Sequence, residues 1–379
     1  MEFAFTEEQG LLRESAIGFL SENSDSKKIR EAMESSLVYD KKVWQKMSEE
    51  MGWLALLIPE KYDGLGLTWI ELTALLEKMG YFLLCSPFHS TICLGATCLL
   101  EFGNEDQKTS FLPKIANGSL QITLACLEPN GDWTPNGIRC TYKKIDNEFI
   151  VSGIKKYVPY GHSADKIIVI AREEGSNGTE GVSLFLVDSE EKNLEIKKLN
   201  TMDQTRPQSL INLNKIRIPV DCVLGELGGG WNALEKLRLY GALGVSAEQV
   251  GGAQRCLDMT CDFVLEREQF GRKIGSFQSI KHRLADMMVL VESARSASYY
   301  ASCMTGTNSQ ELEEAVSIAK SYCSEAFFKC AGDAIQLHGG VGFTWEYDTH
   351  LFFKRAKSSE IYFGDPSFHK NKISNILGL

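Results

Sequence analysis

No run of about eighteen uncharged apolar residues occurs anywhere in the sequence, so it holds nothing built to cross a membrane as a helix. It has no Cys-x-x-Cys pair either, although it contains eleven cysteines, and an odd number cannot close into a complete disulfide framework. Cys93 and Cys98, like Cys256 and Cys261, stand too far apart for a zinc knuckle or a redox pair, and these thiols are expected to be small buried hydrophobes. The six histidines are scattered without ligand spacing, so no metal is expected. No Gly-x-Gly-x-x-Gly follows a strand-like run, which excludes the Rossmann route to a dinucleotide. There is no internal repeat, no low-complexity segment and no acidic tail. The net charge of −10 is spread along the chain, which argues against nucleic acid as a partner.

What the sequence does hold is the composition of a globular protein, 44% apolar and 24% charged. Its 379 residues are too many for one ordinary core and suit two or three domains. The opening MEFAFTEEQGLLRES is acidic and reads as a helix start, with Thr6 and Gln9 at capping-box spacing, rather than as a signal or transit peptide. A reducing, cytoplasmic location is the expectation.

The apolar period divides the chain in three. From residue 1 to 120 it is helical, as in VWQKMSEEMGWLALLIP, where Val43, Trp44, Met47 and Met51 share a face and Pro59 is expected to stop the run. From 121 to 228 the period becomes two, and EFIVSGIKKYV, KIIVIARE, GVSLFLVD, LEIKKL and SLINLNKIRIP read as strands between turn residues. From 229 to 379 helices return. Phe277, Ile280, Leu284, Met287, Val291 and Ala294 make one stripe, and a second long helix is expected from about Glu311 to His338, stopped by Gly339. Strands are not interleaved with helices, so a doubly wound parallel sheet is not expected and the fold reads as mainly α with a central β domain.

Two segments carry chemistry. In EREQFGRKIGSFQSIKHRLADM, Arg267 stands near a helix end beside Phe270 and Gly271. A cationic fork, a flat apolar face and a sharp turn can together hold a diphosphate and an adjacent ring. The ordinary alternative is an interhelical loop with an exposed arginine. In AIQLHGGVGFTWEYDTHLFFKRAK, Gln336 ends a helix, and Gly339, Gly340 and Gly342 offer backbone that a ligand could approach closely. Phe343, Trp345, Leu351 and Phe352 read as core.

Taken together, REQFG with FQ and ADM, followed about seventy residues later by QLHGGVGFTWEYD and FKRA, resemble the acyl-CoA dehydrogenase family of flavoproteins along the whole chain. The resemblance implies an N-terminal helical domain, a β-barrel-like middle domain and a C-terminal four-helix bundle. It implies FAD held across a subunit contact, an acyl-CoA substrate, a tetramer, and an electron-transfer flavoprotein as electron acceptor. By position it places Arg267 at the pyrophosphate, Phe270 and Gln278 against the cofactor, and Gln336, Gly339 and Gly340 along its adenosine-diphosphate part.

The same resemblance exposes departures. Phe363, in YFGD, stands where the family usually keeps its catalytic Glu, and Gly241, in LRLYGALG, stands at the alternative Glu position. Neither can accept a proton. Leu127, in LEP, replaces a flavin-contacting Thr, and Pro159, in YVP, replaces the hydroxyl that meets flavin N5, although Tyr157 could still cover the ring. Glu248, two helical turns beyond Gly241, is a weak candidate for a relocated base; Glu360 and Asp365 flank the empty position.

Residues that would serve a neighbour's cofactor survive, whereas those serving this chain's own flavin ring do not. The pattern resembles the base-lacking subunit of heteromeric dehydrogenases acting on steroid side-chain and other bulky acyl-CoA thioesters. A homotetramer with a relocated base, and a flavin-free structural subunit, are the alternatives. Flavin monooxygenases share the fold, and nothing in the sequence argues for or against them.

Overall fold

The computed structural model describes residues 6–379; the first five residues of the acidic opening lie outside them. Helices α1 (Glu7–Asn23), α2 (Ser26–Glu34), α3 (Lys41–Glu49), α4 (Trp69–Tyr81), α5 (Thr97–Phe102) and α6 (Glu105–Ala116) come first. Strands β1 (Ile122–Ala125), β2 (Thr141–Ile145), β3 (Glu148–Pro159), β4 (Lys166–Glu173), β5 (Val182–Asp188), β6 (Leu194–Lys198), β7 (Gln208–Pro219) and β8 (Val223–Leu224) follow. The chain ends with α7 (Gly230–Glu266), the hairpin β9 (Glu268–Gln269) and β10 (Arg272–Lys273), then α8 (Gln278–Cys303), α9 (Ser309–His338), α10 (Thr349–Ile361) and α11 (Pro366–Ile376). Helix, sheet, helix is the order that the change of period implies.

Local chemistry sets the ends. Thr6 and Gln9 form the expected capping box on α1, each side chain bonded to the other's backbone N–H. Helix α3 stops at Glu49, well before Pro59, because Gly52 turns the chain at φ +66° into a short 3₁₀ segment at Trp53–Ala55. Val43, Trp44 and Met47 are buried as the pattern requires, and Met51 falls outside the helix. Gly339 ends α9 at φ +66°.

The residues form two compact units. One collects the chain up to Glu31, Trp69–Cys85 and Ala242–Leu379; the other collects Ala32–Thr68 and Ser86–Gly241. The second unit holds the sheet, in the order β6-β7-β3-β2-β4-β5-β8, with β1 paired to β4 in parallel. Strand β3 begins by alternating half-buried and buried residues from Glu148 to Val151, as a sheet with one wetter face should. Strand β4 is buried from Ile167 to Arg172, because β1, β2 and β5 all pair with it. Tyr142, Phe149 and Phe185 meet edge-on or tilted at 5.0–5.5 Å in the sheet core.

In the first unit the long helices pack through small residues. Val250 of α7, Ala294 of α8, and Cys323 and Ala326 of α9 form one buried cluster, which lets the helix backbones come close. Among the described residues no helix is long and apolar enough to cross a membrane.

Candidate functional site

Arg267 follows the last residue of α7, and its backbone N–H still donates to the Phe263 carbonyl at 2.9 Å. The chain then reverses through the β9–β10 hairpin, whose two loop residues are Phe270 and Gly271. Both have positive φ, +54° and +74°, as the tightest hairpin turn demands. Glycine meets that demand freely, whereas phenylalanine there costs about 1 kcal/mol of backbone strain. The strained ring is 91% exposed and touches Phe277 edge-on at 6.1 Å.

The second motif lies beside the first. Phe263, one turn before Arg267, stacks on His338 at 4.2 Å, immediately before Gly339. Arg267, Phe270, Gln278, Gln336, Gly339 and Gly340 are all exposed, and a Cβ added to Gly339 or Gly340 would meet nothing within 4 Å. This open cradle of backbone next to an arginine fits the diphosphate and adenosine end of FAD.

The reading of Phe343 and Trp345 as core is overturned. The 3₁₀ turn Gly339–Phe343 carries them out of the packed stripe of α9, and they are 71% and 58% exposed; Leu351 and Phe352, back on α10, are buried. Arg30 of α2 holds this loop. It donates to the Trp345 carbonyl at 2.6 Å and to Asp348 at 2.8 Å, where Ser26 also donates.

The loop containing Phe363 is held from several sides. Phe363 has φ +60° and is 2% exposed, its ring tilted against Tyr362 at 4.2 Å. The carbonyls around it are pinned from α9 and α11. The fully buried amine of Lys320 donates to Glu360 and Gly364 at 2.9 and 3.0 Å and to Ser324 at 3.0 Å. The His369 ring lies 3.0 Å from the Phe363 carbonyl and 3.3 Å from the Ser317 hydroxyl. The flanking carboxylates have other work: Glu360 pairs with Lys357 at 3.0 Å, and Asp365 accepts the Phe368 N–H at 2.7 Å as the N-cap of α11. Residue types alone did not point to Lys320 or His369. The available signal was a lysine inside the buried face of α9, between Ala319 and Cys323.

In the other unit, the Gly241 carbonyl of α7 lies 3.0 Å from Nε2 of His89, a buried histidine that opens a π-helical segment, His89–Ala96. An eight-residue π-helix is rare, and such distortions cluster at functional sites. Tyr240 next to it hydrogen-bonds Glu101 at 3.2 Å, and burial followed by that carboxylate pushes the phenol pKa up. Glu248, farther along α7, packs its backbone on Gly80 of α4, where an added Cβ would lie 2.0 Å from the Glu248 carbonyl oxygen, and its side chain is half-buried.

On the sheet, the Leu127 carbonyl accepts the Lys156 N–H at 2.9 Å, which puts Leu127 beside Tyr157. Tyr157 sits in a bulge of β3 with φ +61°, partly exposed. Pro159 is buried and offers no hydroxyl; its carbonyl accepts the Thr123 hydroxyl at 2.6 Å. Neither Leu127 nor Pro159 offers a side-chain hydrogen-bond donor.

Three family models cover nearly all of the chain: the acyl-CoA dehydrogenase N-terminal domain at 6–119, the middle domain at 123–214 and the C-terminal domain at 228–377. The chain is similar to the acyl-CoA dehydrogenase IpdE2 of Mycolicibacterium smegmatis, 32% identical over 95% of this chain and 96% of that one. Among solved structures it is similar to butyryl-CoA dehydrogenase from Megasphaera elsdenii, at TM-score 0.92 and 25% identity, covering all of both chains. It is also similar to a chain of the ChsE4-ChsE5 complex from Mycobacterium tuberculosis, at TM-score 0.90 and 25% identity, covering 100% of this chain and 99% of that one. The chain belongs to the acyl-CoA dehydrogenase family of FAD-dependent oxidoreductases.

Proposed function

We propose that this chain is one subunit of a heteromeric acyl-CoA dehydrogenase, and that it lends the diphosphate grip around Arg267 to a FAD whose ring and catalytic carboxylate belong to a related chain. The observation that carries this reading is the Phe363 loop. Its backbone is held as tightly as a catalytic loop needs, yet its side chain is a buried phenyl ring and both neighbouring carboxylates are committed elsewhere. When bound, FAD supplies the hydride acceptor for α,β-dehydrogenation of the thioester. Removing the α proton needs a dry, well-placed base, and this chain offers none at position 363 or 241. Its contributions are cationic and geometric: Arg267 meets a pyrophosphate, Phe270 packs on the cofactor, Gln278 and Gln336 flank it, and Gly339 and Gly340 leave room for it.

A complex built from two differently named chains, such as ChsE4-ChsE5, is the arrangement this reading requires. The substrate class is a bulky acyl-CoA thioester, such as a steroid side chain, the location cytoplasmic, and the electron acceptor an electron-transfer flavoprotein. The test is to purify the chain alone and with a co-expressed related chain that carries Glu at one of the two base positions, and to measure flavin per subunit and turnover. Flavin and turnover are expected only in the mixed assembly; a full flavin complement and turnover in the lone chain would sink the proposal. A homotetramer using Glu248 is the competing reading, and it requires Glu248→Gln to abolish turnover in the lone chain.

A further inference from the structure

The segment that carries Arg267 holds a second arginine, Arg272, in strand β10. The hairpin register decides which way the two point. Gln269 pairs with Arg272 and Glu268 with Lys273. Residues opposite each other in an antiparallel ladder share a face, and successive residues alternate between faces. Lys273 and Glu268 mark their shared face with an ion pair at 3.1 Å. The ladder runs one bond further, because the Ile274 N–H donates to the Arg267 carbonyl at 2.9 Å. That bond sets Arg267 opposite Ile274, and so on the face of Gln269 and Arg272, away from Lys273. Diagonal neighbours on one face of such a ladder stand roughly 7–8 Å apart, within reach of two guanidinium groups that meet one diphosphate.

Arg272 is also held ready. It is exposed, yet its guanidinium carbon lies over the half-buried Phe277 ring, 4.0 Å from the ring centre. Contact with a ring uses the flat face of a guanidinium, not its in-plane N–H donors. A side chain already ordered by such a contact loses less freedom when a ligand arrives. Among the described residues, neither the Arg267 nor the Arg272 side chain forms an ion pair or a hydrogen bond, and the carboxylate of Glu268 is committed to Lys273 on the other face. One arginine fork matches one phosphate group. A diphosphate has two, and this face of the hairpin has two forks.

We propose that Arg272 is the second cation of the diphosphate grip, so that Arg267 and Arg272 each take one phosphate of FAD from the same face of the hairpin. This deepens the subunit reading above and rests on its placing of the diphosphate at Arg267.

The test is fluorescence titration with FAD of the flavin-stripped assembly, in whichever form retains FAD, this chain with its related partner or this chain alone. Arg272→Gln should weaken FAD at least about tenfold, as the loss of a charge-assisted phosphate contact implies, whereas Lys273→Gln, on the other face, should stay within about twofold of the parent. ADP, used as a competitor, should lose affinity for the Arg272→Gln assembly by a similar factor. The urea midpoint of Arg272→Gln should match the parent's. The proposal is overturned, with the subunit reading left standing, if Arg272→Gln binds FAD like the parent, if Lys273→Gln loses as much, or if Arg272→Gln loses FAD only along with its stability. Full flavin in the lone chain sinks the subunit reading instead, and Arg272 is then judged in that lone chain. If neither form takes up FAD, both are overturned.

Discussion

Gly251 of α7 lies directly on the backbone of Glu77 in α4: a Cβ added to Gly251 would sit 1.8 Å from the Glu77 carbonyl oxygen and 2.6 Å from the Tyr81 nitrogen. Two helix backbones this close leave no room for any side chain. Gly251→Ala should therefore destabilise the chain by more than about 2 kcal/mol, because helix separation rather than a rotamer must give way. Gly10→Ala in α1, where an added Cβ meets nothing within 4 Å, is the control. It should stabilise by about 0.5–1 kcal/mol through helix propensity alone. Urea midpoints of the two variants should move in opposite directions.

Lys320 holds the loop that carries Phe363. Lys320→Met keeps most of the volume but removes the donor from two backbone carbonyls and the Ser324 hydroxyl. Leaving these buried acceptors without it should cost roughly 2–4 kcal/mol in urea unfolding. Amide exchange should also quicken in 362–365 ahead of the rest of the chain. A uniform change in exchange, with the loop no faster than α9, would show that Lys320 does not pin the loop.

How much of this was legible in the sequence follows from the range of the interactions involved. The switch from helical period to period two and back is local, so the runs read as strands became β3 to β7; the α8 stripe is buried at Met287, Val291 and Ala294, whereas Ile280 and Leu284 are half-buried and Phe277 caps the helix instead of belonging to it. Strands β1 and β2 escaped notice. They are short, Ile122–Ala125 is buried throughout instead of alternating, and Thr141–Ile145 ends in exposed residues. The β9–β10 hairpin was hidden because Phe-Gly occupies a turn that usually takes Asn-Gly. Phe343 and Trp345 were misread because apolar character says nothing about which side of a helix stop a residue lands on. Motif position singled out Arg267, Phe270 and Phe363. Lys320 and His369, which hold the Phe363 loop, and Arg30, which holds the Trp345–Asp348 loop, are distant in sequence from what they hold, and Glu77 gathers cations from α1, α4 and α8 that no spacing rule connects.

Acid should weaken the fold from about pH 6.5 downward. Burial lowers the pKa of His338, and burial with repulsion from Lys354 and Arg30 lowers that of His350, against a smaller opposing pull from Asp348. Folded values below the unfolded one mean that, as pH falls under about 6.5, the unfolded chain takes up protons that the folded chain refuses. Stability is thus complete above that pH and is lost as pH drops toward the depressed folded values, by up to about 1.4 kcal/mol per pH unit for each histidine. The urea midpoint should fall less steeply between pH 6.5 and 5 in a His338→Gln, His350→Gln double variant than in the parent; equal slopes would rule these two groups out.

Phe270 separates what the fold needs from what a partner needs. Replacing it with glycine relieves left-handed strain worth about 1 kcal/mol, but it frees the unfolded backbone by a similar amount and removes one edge contact with Phe277. These effects nearly offset, so Phe270→Gly should change the stability of the lone chain by less than about 1 kcal/mol, where a core phenylalanine would cost about 3–5. If the ring packs on a cofactor shared with another chain, the same variant should lower the flavin retained by the mixed assembly severalfold, and Arg267→Ala should do so too. Measuring unfolding of the lone chain and flavin absorbance of the gel-filtered assembly on the same two variants gives both readings. An unchanged flavin content with an unchanged fold would mean that the exposed ring at position 270 serves some surface other than the cofactor.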